Sequence, residues 1–261
     1  MPRSGRFAKK SLGQHFLNDP NLARKIVNSL DVGPGDKVLE IGPGRGALSV
    51  RIKAKGPRIF AALEKDVNLA LDLKQGHPGI FVVAADALEY AWELLLPVRS
   101  WKIIGNLPYN VASPLMWELF SRCSGLRLAV FMVQKEVGAR LAANPGTKSY
   151  GALSVWVRSF VAVEPLFTVP PGAFTPKPKV DSMVLAFSPS APKVQFQPPA
   201  LAQLLRICFQ KRRKQMGNIL KPFWSPDMED WFAAQGLDKR VRPEELDPSQ
   251  FQGLSFIFEG R

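Results

Sequence analysis

The sequence predicts a doubly wound α/β domain followed by a small all-helical region. Three observations carry that expectation. Short β-branched apolar runs alternate with amphipathic stretches between residues 37 and 187, the pattern of βαβ units around a largely parallel sheet. The first of these runs leads directly into Gly42-Pro43-Gly44-Arg45-Gly46. Finally, four successive runs close on polar residues: Glu40, Glu64, Asp86 and Asn106. In open α/β sheets the carboxyl ends of the strands are where ligands bind.

The chain opens on a basic stretch with Lys9 and Lys10 and a turn-like segment through Gly13, Gln14, His15, Phe16 and Leu17. Asn18 or Asp19 is placed to cap a helix, with Pro20 in its first turn and Leu22, Ile26, Val27 and Leu30 on one face. Gly33-Pro34-Gly35-Asp36 ends it. Residues 37–41 read as a strand, the glycine turn follows, and Ala47, Leu48, Val50 and Ile52 suggest a helix. Glycines at such a turn permit φ > 0 and let a ligand lie against the backbone at a helix N-terminus.

A second strand over 58–63 ends on Glu64, about twenty residues beyond the turn, where a nucleoside-binding βαβ unit places a carboxylate for the ribose hydroxyls. A third strand, 79–84, leads to Asp86, which caps the next helix, accepts from an adenine amine, or does both. The third glycine of the turn comes one residue earlier than in G-x-G-x-x-G. Glu40 precedes the turn and Pro43 lies inside it. A carboxylate there opposes a pyrophosphate and suits a cation, such as the amine or sulfonium of S-adenosylmethionine.

The fourth strand runs through Ile103 and Ile104 and must leave the sheet near Asn106, because Pro108 has no N–H for a ladder. Asn106 offers an acceptor, the turn an outward carbonyl, and Tyr109 a flat face. Together they suit a planar ligand bearing an amino group, although an ordinary turn uses the same residue types. Beyond it come a helix over 113–120, a strand over 126–133, a helix over 134–142 and a polar loop over 144–148. Residues 151–163 read as a helix passing into a strand. Four prolines between 169 and 182 stiffen a loop that either tucks Phe174 onto the core or holds it exposed, as the second face of a stacking clamp opposite Tyr109. A last strand covers 183–187.

These elements place one domain over 1–190 and a Pro-rich linker over 191–200, with Pro192, Pro198 and Pro199. A helical domain over 201–261 follows. It carries the run Lys211-Arg212-Arg213-Lys214, an aromatic pair at Trp231 and Phe232, and a final helix from Pro248 with Phe251, Leu254, Phe256 and Ile257. In 261 residues, 35 Lys+Arg against 22 Asp+Glu leave a net charge of +13. That excess favours a polyanionic partner and makes the basic run a better phosphate contact than a merely solvated face. No apolar run reaches membrane-spanning length, and the basic N-terminus lacks the apolar core of a secretory signal. Two cysteines and two histidines without ligand spacing predict no metal site and a reducing, cytoplasmic setting.

Over essentially its whole length the chain resembles the bacterial small-subunit (16S) ribosomal RNA adenine dimethyltransferases and their archaeal, eukaryotic and mitochondrial relatives. The stretches that carry the resemblance are Lys10-Ser11-Leu12-Gly13-Gln14-His15-Phe16-Leu17, Glu40-Ile41-Gly42-Pro43-Gly44-Arg45-Gly46, Gly105-Asn106-Leu107-Pro108-Tyr109-Asn110 and Phe174-Thr175-Pro176-Lys177-Pro178. The region from Phe209 to Leu220 resembles the family's C-terminal domain.

The resemblance implies a Rossmann-like class I sheet that binds S-adenosylmethionine, with residues 1–17 as a segment for cofactor and RNA. His15, Leu17, Gly42 and Gly44 would line the cofactor, Glu64 would take the ribose, Asp86 the adenine amine and Asn106 the methionine end. Asn106, Leu107 and Pro108 would orient the target amine, and Tyr109 and Phe174 would stack on a base drawn out of its own stack. Lys9, Lys10 and the run Lys211 to Lys214 would contact RNA. The implied substrate is 16S rRNA in a 30S particle, dimethylated at two adjacent adenosines by a monomer that needs neither metal nor membrane. Position 15 is His here and Asn in some relatives, and position 45 is Arg where a smaller or apolar residue is common. Alternatives are a large-subunit rRNA or DNA adenine methyltransferase, a non-enzymatic RNA-binding or ribosome-assembly factor of the same fold or a mitochondrial transcription-factor relative, and a nicotinamide-dependent oxidoreductase. The intact Glu64, Asp86 and Asn106-Leu107-Pro108-Tyr109 set argues against the non-enzymatic reading.

Overall fold

Breakers and caps in the sequence place the elements. The computed structural model describes residues 14–96, 100–108, 110–192 and 194–258, so Lys9, Lys10 and Tyr109 lie outside the described residues. A two-residue strand, β1 (Phe16–Leu17), precedes α1 (Pro20–Ser29). Asp19 is the cap of α1: its carboxylate accepts from the N–H groups of Asn21 and Leu22 at 2.8 and 3.0 Å. Ala23, Ile26 and Val27 bury one helical face. The alternation then runs β2 (Lys37–Ile41), α2 (Ser49–Ala54), β3 (Ile59–Glu64), α3 (Val67–Gly76), β4 (Phe81–Ala84), β5 (Trp101–Asn106), α4 (Ala112–Arg122) and β6 (Leu126–Gln134). After these come α5 (Lys135–Leu141), α6 (Ala152–Arg158), β7 (Val161–Val169), β8 (Phe174–Thr175) and β9 (Ser182–Pro189).

The chain divides into two compact units: Met1–Gly138 with Val163–Pro189, and Ala139–Ala162 with Ser190–Arg261. Where the sequence suggests a single cut within 191–200, packing groups the segment around α6 with the C-terminal helices.

In the first unit seven strands lie in the order β4-β3-β2-β5-β6-β9-β7. β2 pairs in parallel with β3 and β5, β3 with β4, and β5 with β6, whereas β9 is antiparallel to β6. The last strand of the chain therefore inserts between β6 and β7. A separate two-stranded sheet pairs Phe16 with Thr175 and Leu17 with Phe174, antiparallel. Strands of two residues carry no readable period, which is why the sequence gives no sign of them. At the carboxyl end of β5, Gly105 sits opposite Ile41, and a Cβ at that position would lie 2.7 Å from the Ile41 carbonyl oxygen.

The second unit holds α6 and the helices α7 (Pro198–Gln210), α8 (Met216–Ile219), α9 (Pro226–Ala234) and α10 (Pro248–Phe258). Leu201, Leu204, Leu205 and Cys208 of α7 and Phe251, Leu254 and Phe258 of α10 are buried, while Phe256 faces outward. The rings of Phe209 and Phe251 lie 5.6 Å apart, and the Tyr150 hydroxyl donates to the Leu246 carbonyl at 2.8 Å.

Candidate active site

The two-residue period of a strand decides which strand-end groups share a face. Parallel register sets Glu40 beside Ala62 of β3 and Ile104 of β5. Two residues further along those strands are Glu64 and Asn106, so all three polar side chains leave the sheet on one face. That face carries Val38, Phe60, Ala62 and Ile104 and is covered by Ile26 and Val27 of α1 and Ile52 of α2. Glu40 is one pleat deeper than the other two, and it is only 1% exposed.

Each group has a defined partner. Ser49 donates its hydroxyl proton to Glu40 Oε2 at 2.6 Å. Burial pushes the Glu40 pKa up to about 8, with the Ser49 hydrogen bond opposing and nearby Glu64 adding to the rise. Glu64 accepts from the Gly44 N–H through Oε2 and from the Asp66 N–H through Oε1, both at 2.9 Å. Burial raises its pKa, and those backbone donors work against the rise. This carboxylate thus ties the glycine turn to the end of β3.

The turn takes the backbone its glycines permit, but the helix after it starts later than Ala47 and Leu48 suggest. Gly42, Gly44 and Gly46 have φ of +66°, +56° and +81°, left-handed values that L side chains rarely adopt. A helix cannot include them, and α2, six residues long, starts only at Ser49. A side chain at Gly44 would also meet the Phe16 ring at 3.1 Å. The same ring carries the Arg45 guanidinium 4.5 Å from its centroid.

Asp86 follows β4 and caps no α-helix: its Oδ1 accepts from the Leu88 N–H at 3.0 Å within a turn, and its Oδ2 pairs with Lys65 Nζ at 2.5 Å. Partial burial would raise its pKa, but the Lys65 ammonium and the Leu88 N–H hold it below the usual carboxylate value. Asn106 closes β5 as expected, and its Nδ2 donates to the His15 carbonyl at 2.9 Å. The Leu107 N–H still reaches β6, at 3.0 Å from the Met132 carbonyl. The Pro108 carbonyl then accepts from the N–H groups of Val111 and Ala112, which starts α4. The His15 ring has its Nδ1 2.7 Å from the Pro176 carbonyl oxygen.

One cleft at the carboxyl end of the sheet is lined by His15, Leu17, Glu40, Gly42, Gly44, Glu64, Lys65, Asp86, Asn106, Leu107 and Pro108. The cofactor-side residues singled out in the sequence are therefore brought together. Phe174 is not among them. Its ring is 4% exposed and belongs to the hydrophobic core, because the pairing of β8 with β1 faces it inward. The exposed placement of Phe174 is thus corrected, and the tucked alternative holds.

In the second unit the basic run occupies the turn after α7. Lys211, Arg213 and Lys214 are exposed, whereas Arg212 pairs with the Glu244 carboxylate and donates to the Thr147 carbonyl. Among the described residues there is no cluster of three metal-ligating side chains and no helix long and apolar enough to cross a membrane. Sequence reasoning missed Ser49 and Lys65. Register gave no signal for Lys65, since pairing Glu64 with Ala84 sets Lys65 level with Ala85, and only its long side chain reaches Asp86 one residue further on.

The seven-stranded sheet with its one inserted antiparallel strand, and the cleft of glycine turn and strand-end acids, define a Rossmann-like class I methyltransferase. Residues 5–258 match the family described as Ribosomal RNA adenine dimethylase. The chain belongs to that family. It is 51% identical, over 95% of its length and 95% of the relative's, to "Ribosomal RNA small subunit methyltransferase A" of Nitratidesulfovibrio vulgaris. Among solved structures, a dimethyladenosine transferase from Plasmodium falciparum superposes with a TM-score of 0.76 at 26% identity, covering 94% of this chain and 97% of that one. The 23S rRNA methyltransferase ErmE shares the fold, with a TM-score of 0.71 at 23% identity over 94% of this chain and 99% of that one.

Proposed function

We propose that this protein transfers methyl groups from S-adenosylmethionine to the exocyclic N6 amines of two adjacent adenosines near the 3′ end of small-subunit (16S) rRNA, twice at each, on a 30S particle. The observation that carries the reading is the gathering of Glu64, Asp86 and Asn106-Leu107-Pro108 in one cleft of a ribosomal RNA adenine dimethylase family member. The small-subunit target rests on the relative at 51% identity. The likeness to the 23S rRNA methyltransferase, at 23% identity, supports the fold alone.

The residues fit the cofactor. Left-handed Gly42 and Gly44 put no side chain of their own into the cleft, Glu64 holds acceptor lone pairs for ribose hydroxyls, and Glu40 is a buried acid with the Ser49 hydroxyl as its hydrogen-bond partner. When bound, S-adenosylmethionine supplies an electrophilic methyl on a sulfonium. The task left to the protein is orientation, since an adenine amine is a poor nucleophile with its lone pair delocalised into the ring. Donation from Asn106 Nδ2 to His15 leaves Asn106 Oδ1 to accept from the target amine, together with the Leu107 carbonyl. Hydrogen bonds of that kind favour a pyramidal, reactive nitrogen, which loses its proton after attack. Tyr109 supplies the stacking face in this reading. Residues 1–190 would carry the chemistry and the helices after 200 the RNA contacts.

A methylation assay tests the proposal: purified 30S particles lacking the modification should gain N6,N6-dimethyladenosine in their rRNA. Activity confined to naked large-subunit RNA would overturn it.

Glu40 gives the reading a pH signature. Below about 8 its carboxyl holds a proton, and a cation in the cleft favours the ionised form. Cofactor binding should therefore release protons, and affinity should climb as pH rises from about 5.5 to about 7.5, at most about tenfold per unit. Calorimetry in two buffers of different ionisation enthalpy measures the release, and zero net exchange contradicts it. The unliganded protein should lose stability as pH rises between 4.5 and about 8, because only the folded state retains that proton in the window.

The basic run has its own test. Replacing Lys211, Arg213 and Lys214 by Gln, with Arg212 kept for its Glu244 pair, should reduce the slope of log K against log salt for RNA by about 2–3. Affinity for S-adenosylhomocysteine should stay the same. An unaltered slope makes the run a solvated turn.

A further inference from the structure

We propose that Lys65 is a positioning residue for the cofactor's purine, pinning Asp86 as a fixed acceptor so that the cleft selects a 6-amino purine over a 6-oxo purine. This rests on the assignment of the cleft to an adenosyl group made above. The geometry behind it starts in the sheet. Register pairs Glu64 with Ala84, which sets Lys65 level with Ala85, one residue short of Asp86; the long Lys65 side chain spans that step, and both residues line the cleft. Lys65 Nζ holds Oδ2 at 2.5 Å and the Leu88 N–H holds Oδ1 at 3.0 Å.

With both oxygens engaged by donors, the carboxylate cannot turn, and it has no proton to offer a ligand. Each oxygen keeps a lone pair for one further donor. A 6-amino group is such a donor. A 6-oxo group brings only lone pairs to the same point, which leaves two acceptors face to face and unpaired. Discrimination against a ligand that leaves buried polar groups unpaired exceeds what a difference in apolar fit achieves.

The Lys65 side chain is 57% exposed and that of Asp86 17%, and water weakens an ion pair in such a setting. A purine filling the cleft covers both groups and removes that water, so the pair strengthens when the ligand is present. Without Lys65, Asp86 would keep the Leu88 N–H alone. Its free oxygen could then rotate or take a proton and serve a 6-oxo ligand. The other acid acting on Lys65 is Glu89, which competes for the ammonium and does not replace it.

The test is titration calorimetry of the wild type, Lys65→Met and Lys65→Arg with S-adenosylhomocysteine and with its deaminated analogue, S-inosylhomocysteine. The wild type should prefer the amino ligand by about tenfold or more. Lys65→Met should bind the amino ligand about 5–10-fold more weakly with little change for the oxo ligand, so that the preference collapses. Lys65→Arg should restore most of it. Equal weakening for both ligands, or an unchanged ratio in Lys65→Met, overturns the role of Lys65. A wild type that binds neither ligand overturns the cofactor assignment itself, and with it this proposal.

Discussion

Asn106→Ala is expected to lower the rate of methyl transfer by about 10²–10³-fold, the scale seen when one positioned hydrogen-bonding group is removed from a reacting centre. The residue does two things at the end of β5. Its Oδ1 is left to hold the target amine, and its Nδ2 donates to the His15 carbonyl at 2.9 Å. Only the second touches the cofactor side of the cleft, through the segment that carries Leu17. One neutral hydrogen bond is worth about 1 kcal/mol net, or about fivefold in an equilibrium, so affinity for S-adenosylhomocysteine should weaken by less than about tenfold. Single-turnover transfer measured beside a binding titration separates the two effects. A variant that turns over within about threefold of the wild type would remove Asn106 from the chemistry.

Glu64→Gln should act in the opposite direction, on binding before chemistry. Both Glu64 oxygens already accept backbone N–H groups, from Gly44 and Asp66. A glutamine keeps the shape but turns one acceptor into an NH2 group, so one of those N–H groups then faces a donor. Hydrogen bonds to a charged group contribute about 1.5–3 kcal/mol. Losing one, together with the ribose acceptor, should weaken S-adenosylmethionine binding by about 10–100-fold and lower the melting temperature of the unliganded protein. The drop in Tm follows from the link the carboxylate makes between the glycine turn and β3. Unchanged affinity with a lowered Tm would make Glu64 a purely structural tie.

Much of the site is legible in the sequence. Asn106 was readable because Pro108 forbids the strand to continue, and the glycine turn because its residue types permit only a few backbone states. Glu64 and Asp86 were readable as acids that follow apolar runs. The start of α2 was not, since it depends on all three glycines taking left-handed φ. Phe174 was open to two readings, and the choice lay in its pairing with Leu17 across more than 150 residues of chain. Arg212 looked equivalent to its three basic neighbours until the fold brought Glu244 against it.

The sequence by itself determined where strands end and which chemical groups stand at those ends, because apolar runs, prolines and glycines act on the chain within a few residues of themselves. Tertiary structure alone decided the rest. It placed Glu40 one pleat below Glu64 and so raised its pKa through burial, set Lys65 against Asp86, buried Phe174, and drew the segment around α6 to the C-terminal helices. Each of these depends on strand register or on loss of water, and both are fixed by residues far away in the chain.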